Sequence, residues 1–139
     1  MGDELDPDII TSALALQPSL SYRKGETYWA GRRRQREIVG RTGLWLLSTE
    51  SRLESGRLED HLELLASLLK ERAERLGGLR QIVREGGYEA SAICFWAGPA
   101  QAAQPSVPGW FRELVGRIGG EIEVDFYQDD AAEEQTAAE

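Results

Sequence analysis

The chain has 139 residues, 41% hydrophobic and 29% charged, with a net charge of −8. That length holds one hydrophobic core rather than two ordinary domains. No apolar run reaches the ~20 residues of a membrane span, and a single cysteine, Cys94, excludes an internal disulfide framework and a cysteine-rich zinc site.

Asp6-Pro7-Asp8 opens the first predicted element. Asp6 can accept hydrogen bonds from first-turn amides, and Pro7 suits a first helical position that needs no amide hydrogen. Ile9, Ile10, Ala13 and Leu14 follow at helical spacing, and Pro18 closes the helix, which we place at 7–16. Residues 17–42 read as irregular, with a short strand near Ile38-Val39. Gly43 to Thr49 reads as a strand, Leu44 and Leu46 on one side, Trp45 and Leu47 on the other.

From Leu58 the pattern is helical. Leu58, Leu62, Leu65, Leu69, Leu76, Leu79 and Val83 form an apolar stripe, with Arg72 filling the gap in the series. Gly77-Gly78 predicts a break into two helices, and Gly86-Gly87 predicts the end of the second. Tyr88 to Trp96 reads as a strand with Ala92, Cys94 and Trp96 on one face. Gly98 to Gly109 reads as a loop and Trp110 to Ile118 as a helix. Glu121 to Tyr127 alternates cleanly, with Ile122, Val124 and Phe126 inward and the acids outward. We expect one globular domain over 1–127 and a disordered acidic tail over 128–139.

The charge is unevenly placed. Residues 1–20 carry four acids and no base, residues 21–41 carry seven bases and two acids, and residues 121–139 carry eight acids and no base. The basic segment holds Arg32, Arg33, Arg34 and Arg36 beside Tyr28 and Trp29. These six residues are the candidate partner-binding set. Arginines beside aromatics can dock an acidic protein surface or grip phosphates and stack a base. They can also form a solvated loop. The global charge of −8 ranks nucleic acid last.

Metalloprotease, dithiol, nucleophile-elbow, Walker and dinucleotide-binding patterns are absent from the sequence. Both glycine pairs that precede strands stand at helix ends, the reverse of a phosphate loop. His61 beside Asp60 and near Glu63 is the weakest plausible catalytic set, and we read it as a surface or contact histidine. Cys94 lies among apolar neighbours and reads as a packing residue, since a nucleophilic thiolate needs an electropositive, open setting.

Several segments together resemble a known family. They are Gly2-Asp3-Glu4-Leu5-Asp6-Pro7-Asp8-Ile9-Ile10, Gln17-Pro18, Tyr22-Arg23-Lys24-Gly25, Thr42-Gly43-Leu44-Trp45-Leu46-Leu47-Ser48, Asp60-His61-Leu62 and the Tyr88-Glu89 entry to the strand of Cys94. The chain resembles, over residues 2–127, a bacterial domain-of-unknown-function family, number 4279. The resemblance implies no activity and no catalytic residue. It also implies an apolar strand before the segment like Gly2–Pro7, and the sequence given starts at that segment, so either that strand is absent or the true start lies upstream. If it is absent, a sheet edge left unpaired there would invite a second chain, and a homodimer is then expected.

The expected fold is α+β: a two-layer sandwich with a small, largely antiparallel sheet of three or four strands packed by helices, on a ferredoxin-like plan. The expected function is a non-enzymatic cytoplasmic protein-binding module that meets its partner through residues 22–41. It has no cofactor, metal or membrane span. A toxin-neutralising immunity or antitoxin-like protein is one alternative, and an enzyme built on carboxylates and His61 is another.

Overall fold

The computed structural model describes residues 1–30 and 36–129. The chain is α+β. Helix α1 spans Pro7–Leu14 and starts as its sequence dictates. Asp6 Oδ1 accepts the Asp8 amide at 3.1 Å, and Pro7 occupies the first turn. The helix stops at Ala15, which takes the left-handed conformation at φ 51°.

Residues 17–42, expected to be mostly loop, hold three short strands. β1 is Leu20–Tyr22, β2 is Thr27–Ala30 and β3 is Arg36–Val39. β4, Leu44–Leu46, pairs antiparallel with β1, placing Leu20 opposite Leu46 and Tyr22 opposite Leu44. β2 and β3 form an antiparallel hairpin, with Tyr28 opposite Ile38 and Trp29 opposite Glu37.

Helix α2, Leu58–Lys70, buries Leu58, Leu62, Ala66 and Leu69. The stripe then breaks, but not at Gly77-Gly78. It breaks at a 3₁₀ turn over Ala73–Arg75, and the two glycines lie in the first turn of α3, Leu76–Gly86. Arg72 explains the gap it fills. Its guanidinium donates to the carbonyl of Leu68 at 2.9 Å and twice to that of Ala15, at 3.3 and 3.4 Å. Arg75 donates to the carbonyls of Ser12 and Ala13. Two cations from the α2–α3 junction thus satisfy the open carbonyl end of α1.

Gly87 ends α3 at φ 64°, and the Tyr88 amide bonds back to the Val83 carbonyl at 3.0 Å. A left-handed residue followed by this longer backward bond is a glycine-dependent helix stop. β5, Ser91–Pro99, leads through α4, Gly109–Arg117, to β6, Glu121–Asp129. β6 therefore runs two residues past the boundary expected at Tyr127, and the rest of the predicted tail lies outside the described residues.

β5 and β6 run parallel, with Cys94 opposite Val124 and Trp96 opposite Phe126. The intervening helix supplies the crossover that a parallel pair requires. Side-chain alternation reports which face a residue takes, not which way its neighbour runs, so this direction is invisible locally. Among the described residues the strands form three two-stranded ladders, two of them antiparallel, rather than one continuous ferredoxin-like sheet of three or four strands.

The core gathers one face of each helix. Ile10 and Leu14 of α1 join the α2 stripe, Leu76 and Leu79 of α3, Cys94 of β5, and Phe111, Leu114 and Val115 of α4. Trp45 turns inward as well, and its indole N–H donates to Thr11 Oγ1 of α1 at 3.1 Å. Among the described residues no helix is long and apolar enough to cross a membrane.

Candidate functional site

The β2–β3 hairpin carries the described members of the predicted partner-binding set. Arg32, Arg33 and Arg34 lie outside the described residues, between Ala30 and Arg36 in the chain. Tyr28 and Trp29 are consecutive in a strand and so take opposite faces. Tyr28 stacks flat on Tyr22, ring centroids 4.4 Å apart, which leaves it a packing role at the base of the hairpin. Trp29 projects from the other face, 57% exposed, with Val39 exposed on the same side. Arg36, opposite Ala30, is exposed on the Tyr28 face and has no carboxylate within ion-pair distance among the described residues.

The basic segment is partly neutralised by the protein itself. Arg23 pairs with Asp6 at 2.9 Å, and Lys24 with Asp3 at 3.3 Å. Acids of the first eight residues therefore take up the bases nearest the sheet. These exposed pairs contribute little stability.

His61 is half-buried near the start of α2 and both its ring nitrogens are engaged. Ser55 offers only its carbonyl, at 2.7 Å from Nε2, so Nε2 carries the proton and donates. Nδ1 then accepts from Thr49 Oγ1 at 2.8 Å in the neutral ring. Asp60 is occupied separately, accepting from Ser55 Oγ at 2.6 Å. Among the described residues no hydrogen bond joins Asp60 to His61, and Glu63 is exposed. The three residues of the weak catalytic set are not brought together. His61 instead ties the 49–57 connection to α2. We expect His61→Ala to lower stability by about 1–2 kcal/mol, the worth of two neutral hydrogen bonds in a partly solvated setting, which urea unfolding followed by tryptophan fluorescence would measure.

Cys94 is 2% exposed among apolar side chains. Burial raises its thiol pKa, with Arg112 opposing, so the group stays protonated. This is the packing role its neighbours suggest. Among the described residues no three His, Cys, Asp or Glu side chains converge as metal ligands would.

A second feature lies where the family resemblance implies a strand before Gly2. A groove of about 970 Å³ lies between β4 and β5, lined by Trp45, Leu47, Leu58, Leu62, Ala92 and Cys94 among others. Met1 and Gly2 close one end of it. Gly2 and Gly43 exchange both backbone bonds, at 3.1 and 2.9 Å. Met1 and Glu89 also exchange both, at 2.7 and 2.8 Å. Two residues thus bridge the β4 side to the β5 side. Gly43 is the available sequence signal. A side chain there would collide with the carbonyl oxygens of Leu5 and Gly2, at 2.6 and 2.8 Å from its Cβ. A strand entry that forbids a side chain marks a close backbone approach.

Comparison with known proteins gives one result. Neither the curated proteins nor the solved structures contain a match to this chain. A family model matches residues 1–129, which is nearly all of the chain and the whole of the fold described above. The chain therefore belongs to the family described as domain of unknown function DUF4279.

Proposed function

We propose that this chain is a non-enzymatic protein-binding module whose basic hairpin docks on an acidic surface of a partner protein. The observation that carries it is Trp29. It stands 57% exposed on a hairpin whose connecting residues include three consecutive arginines, followed by exposed Arg36. An exposed tryptophan on an arginine-rich segment has the composition of an interface anchor with nearby charge. The engaged state of both His61 nitrogens supports the non-enzymatic side of the proposal. A cytoplasmic setting fits the lone buried thiol of Cys94.

The test is capture from nuclease-treated native lysate, comparing wild type with the variant Arg32→Glu, Arg33→Glu, Arg34→Glu and Arg36→Glu, and with Trp29→Ala. The expected result is a defined protein retained by wild type, lost from the charge-reversed variant, and weakened at least tenfold in Trp29→Ala. Its retention should fall as salt rises, because rim charges are screened. Equal capture by all three chains would overturn the proposal. A bound species that disappears on nuclease treatment would do so too, in favour of nucleic acid.

A further inference from the structure

We propose that the outward face of the β5–β6 ladder is the docking surface for the basic hairpin of a second copy of this chain. The inference rests on the reading of the hairpin as a docking element and names the acidic surface that it meets.

Strand alternation builds the face. Ala92 and Cys94 of β5 pack on the core, so Ile93, Phe95 and Ala97 turn away from it. The parallel register sets Glu123 beside Ile93, Asp125 beside Phe95 and Tyr127 beside Ala97, all on that outward face. Two rows result. The β5 row is apolar, with Ile93 63% and Phe95 61% exposed. The β6 row is Glu121, Glu123 and Asp125, closed by Tyr127, whose ring meets that of Phe95 at a centroid distance of 5.8 Å. Among the described residues no cation lies within ion-pair distance of these three carboxylates. An exposed apolar row beside an unneutralised acidic row suits a partner that is apolar and basic at once.

The chain carries that complement itself. Trp29 and Val39 share one face of the β2–β3 hairpin, each 57% exposed. Residues 31–36, which follow Ala30, hold four arginines and no acid. Trp29, Val39, Ile93 and Phe95 are all more than half exposed, so the two surfaces do not cover each other within one chain. The match is made between copies, with Trp29 and Val39 on the apolar row and arginine against the carboxylates. Residues 130–139, which follow β6, hold four acids and no base, and like charge opposes their lying on the acidic row. The β4–β5 groove lies beside β5, whereas this face looks out of the ladder. A strand filling the groove would widen the face rather than cover it.

The test is sedimentation velocity of the full chain over micromolar to submillimolar concentrations. The face variant is Glu121→Lys, Glu123→Lys and Asp125→Lys, and the hairpin variant is the reversal of Arg32, Arg33, Arg34 and Arg36 to glutamate. The expected result is reversible self-association of wild type that weakens as salt rises, and association weakened at least tenfold in each variant alone. Mixed one to one, the two variants should associate again. The unchanged hairpin of one then meets the unchanged face of the other, and the two reversed surfaces match as well. That rescue also shows both variants to be folded. A control, Glu63→Lys, Glu74→Lys and Glu113→Lys, changes three exposed acids on the helices and the 3₁₀ turn to give the same net charge as the face variant. It should associate as wild type does. Monomeric wild type, association that survives the face reversal, equal loss in the control, or a mixture that stays monomeric would each overturn the inference. Hairpin-dependent capture of a different protein, with wild type monomeric, would overturn this inference alone and leave the docking role of the hairpin standing. Association lost in the face variant but kept in the hairpin variant would overturn both.

Discussion

Phe111→Ala is expected to lower the unfolding free energy by about 3–5 kcal/mol. Phe111 is fully buried at the first turn of α4, within the cluster that joins α2, α3, β5 and α4. Trp110 meets its ring edge-on at a centroid distance of 5.9 Å, and Trp110 itself is held on its outer side by Lys70 of α2. Removing the phenyl group loses its transfer free energy and leaves a cavity that helices anchored on several sides fill poorly. Urea unfolding would measure the change. A loss below ~1 kcal/mol would show that α4 collapses into the space, so that the core is less closely packed than the burial of Leu114 and Val115 beside it indicates.

Gly43→Ala is expected to cost about 3–5 kcal/mol, although it adds a single methyl group. The new Cβ would lie 2.6 Å from the Leu5 carbonyl oxygen and 2.8 Å from that of Gly2. Both are backbone atoms and cannot rotate aside. Relief requires moving the Met1–Leu5 segment, which breaks the paired Gly2–Gly43 bonds. Overpacking of this kind costs ~1–3 kcal/mol, and each lost bond adds ~1 kcal/mol. Gly77→Ala is the control. Nothing lies within 4 Å of its Cβ position in the first turn of α3, so the same methyl group should stabilise by about 0.5–1 kcal/mol. Equal effects at the two sites, by urea unfolding, would mean that the bridge of Met1 and Gly2 contributes nothing to the fold.

What the sequence shows and what it hides divide along the range of the interactions. The Asp6-Pro7 helix start, the Leu58–Leu69 stripe and the Gly87 stop each depend on residues within a few positions, and each is legible. The β1, β2 and β3 strands escape a sequence reading because each is only three or four residues long, and β3 begins with Arg36 and Glu37, which mask its alternation. Propensity places the break in the helical stripe at Gly77-Gly78. The structure moves it to Ala73–Arg75, where Arg72 and Arg75 are drawn to the carbonyl end of α1. That tertiary demand overrides a glycine preference of about 1 kcal/mol per residue.

The candidate sites divide the same way. Trp29 and Arg36 are legible as exposed members of a basic segment. Tyr28 groups with them in sequence, yet two consecutive residues of a strand cannot share a face, and the Tyr22 ring claims Tyr28. The β4–β5 groove is legible only as the unpaired edge that the family resemblance implies and as the glycine at Gly43. It depends on Met1 meeting Glu89 and on Gly2 meeting Gly43, pairings separated by most of the chain in the first instance and by more than a quarter of it in the second.

Among the described residues β4 and β5 each pair on one edge and turn the other into this groove, which is the central structural claim beyond the hairpin. Amide hydrogen exchange on the chain alone tests it most directly. Leu44, Leu46, Ala92 and Cys94 turn their amides toward β1 or β6 and should be protected. Trp45, Leu47, Ser91 and Ile93 turn theirs into the groove and should exchange at least tenfold faster, giving an alternating pattern along both strands. Uniform protection along β4 and β5 would contradict the open edges, because it would mean that the groove is already closed.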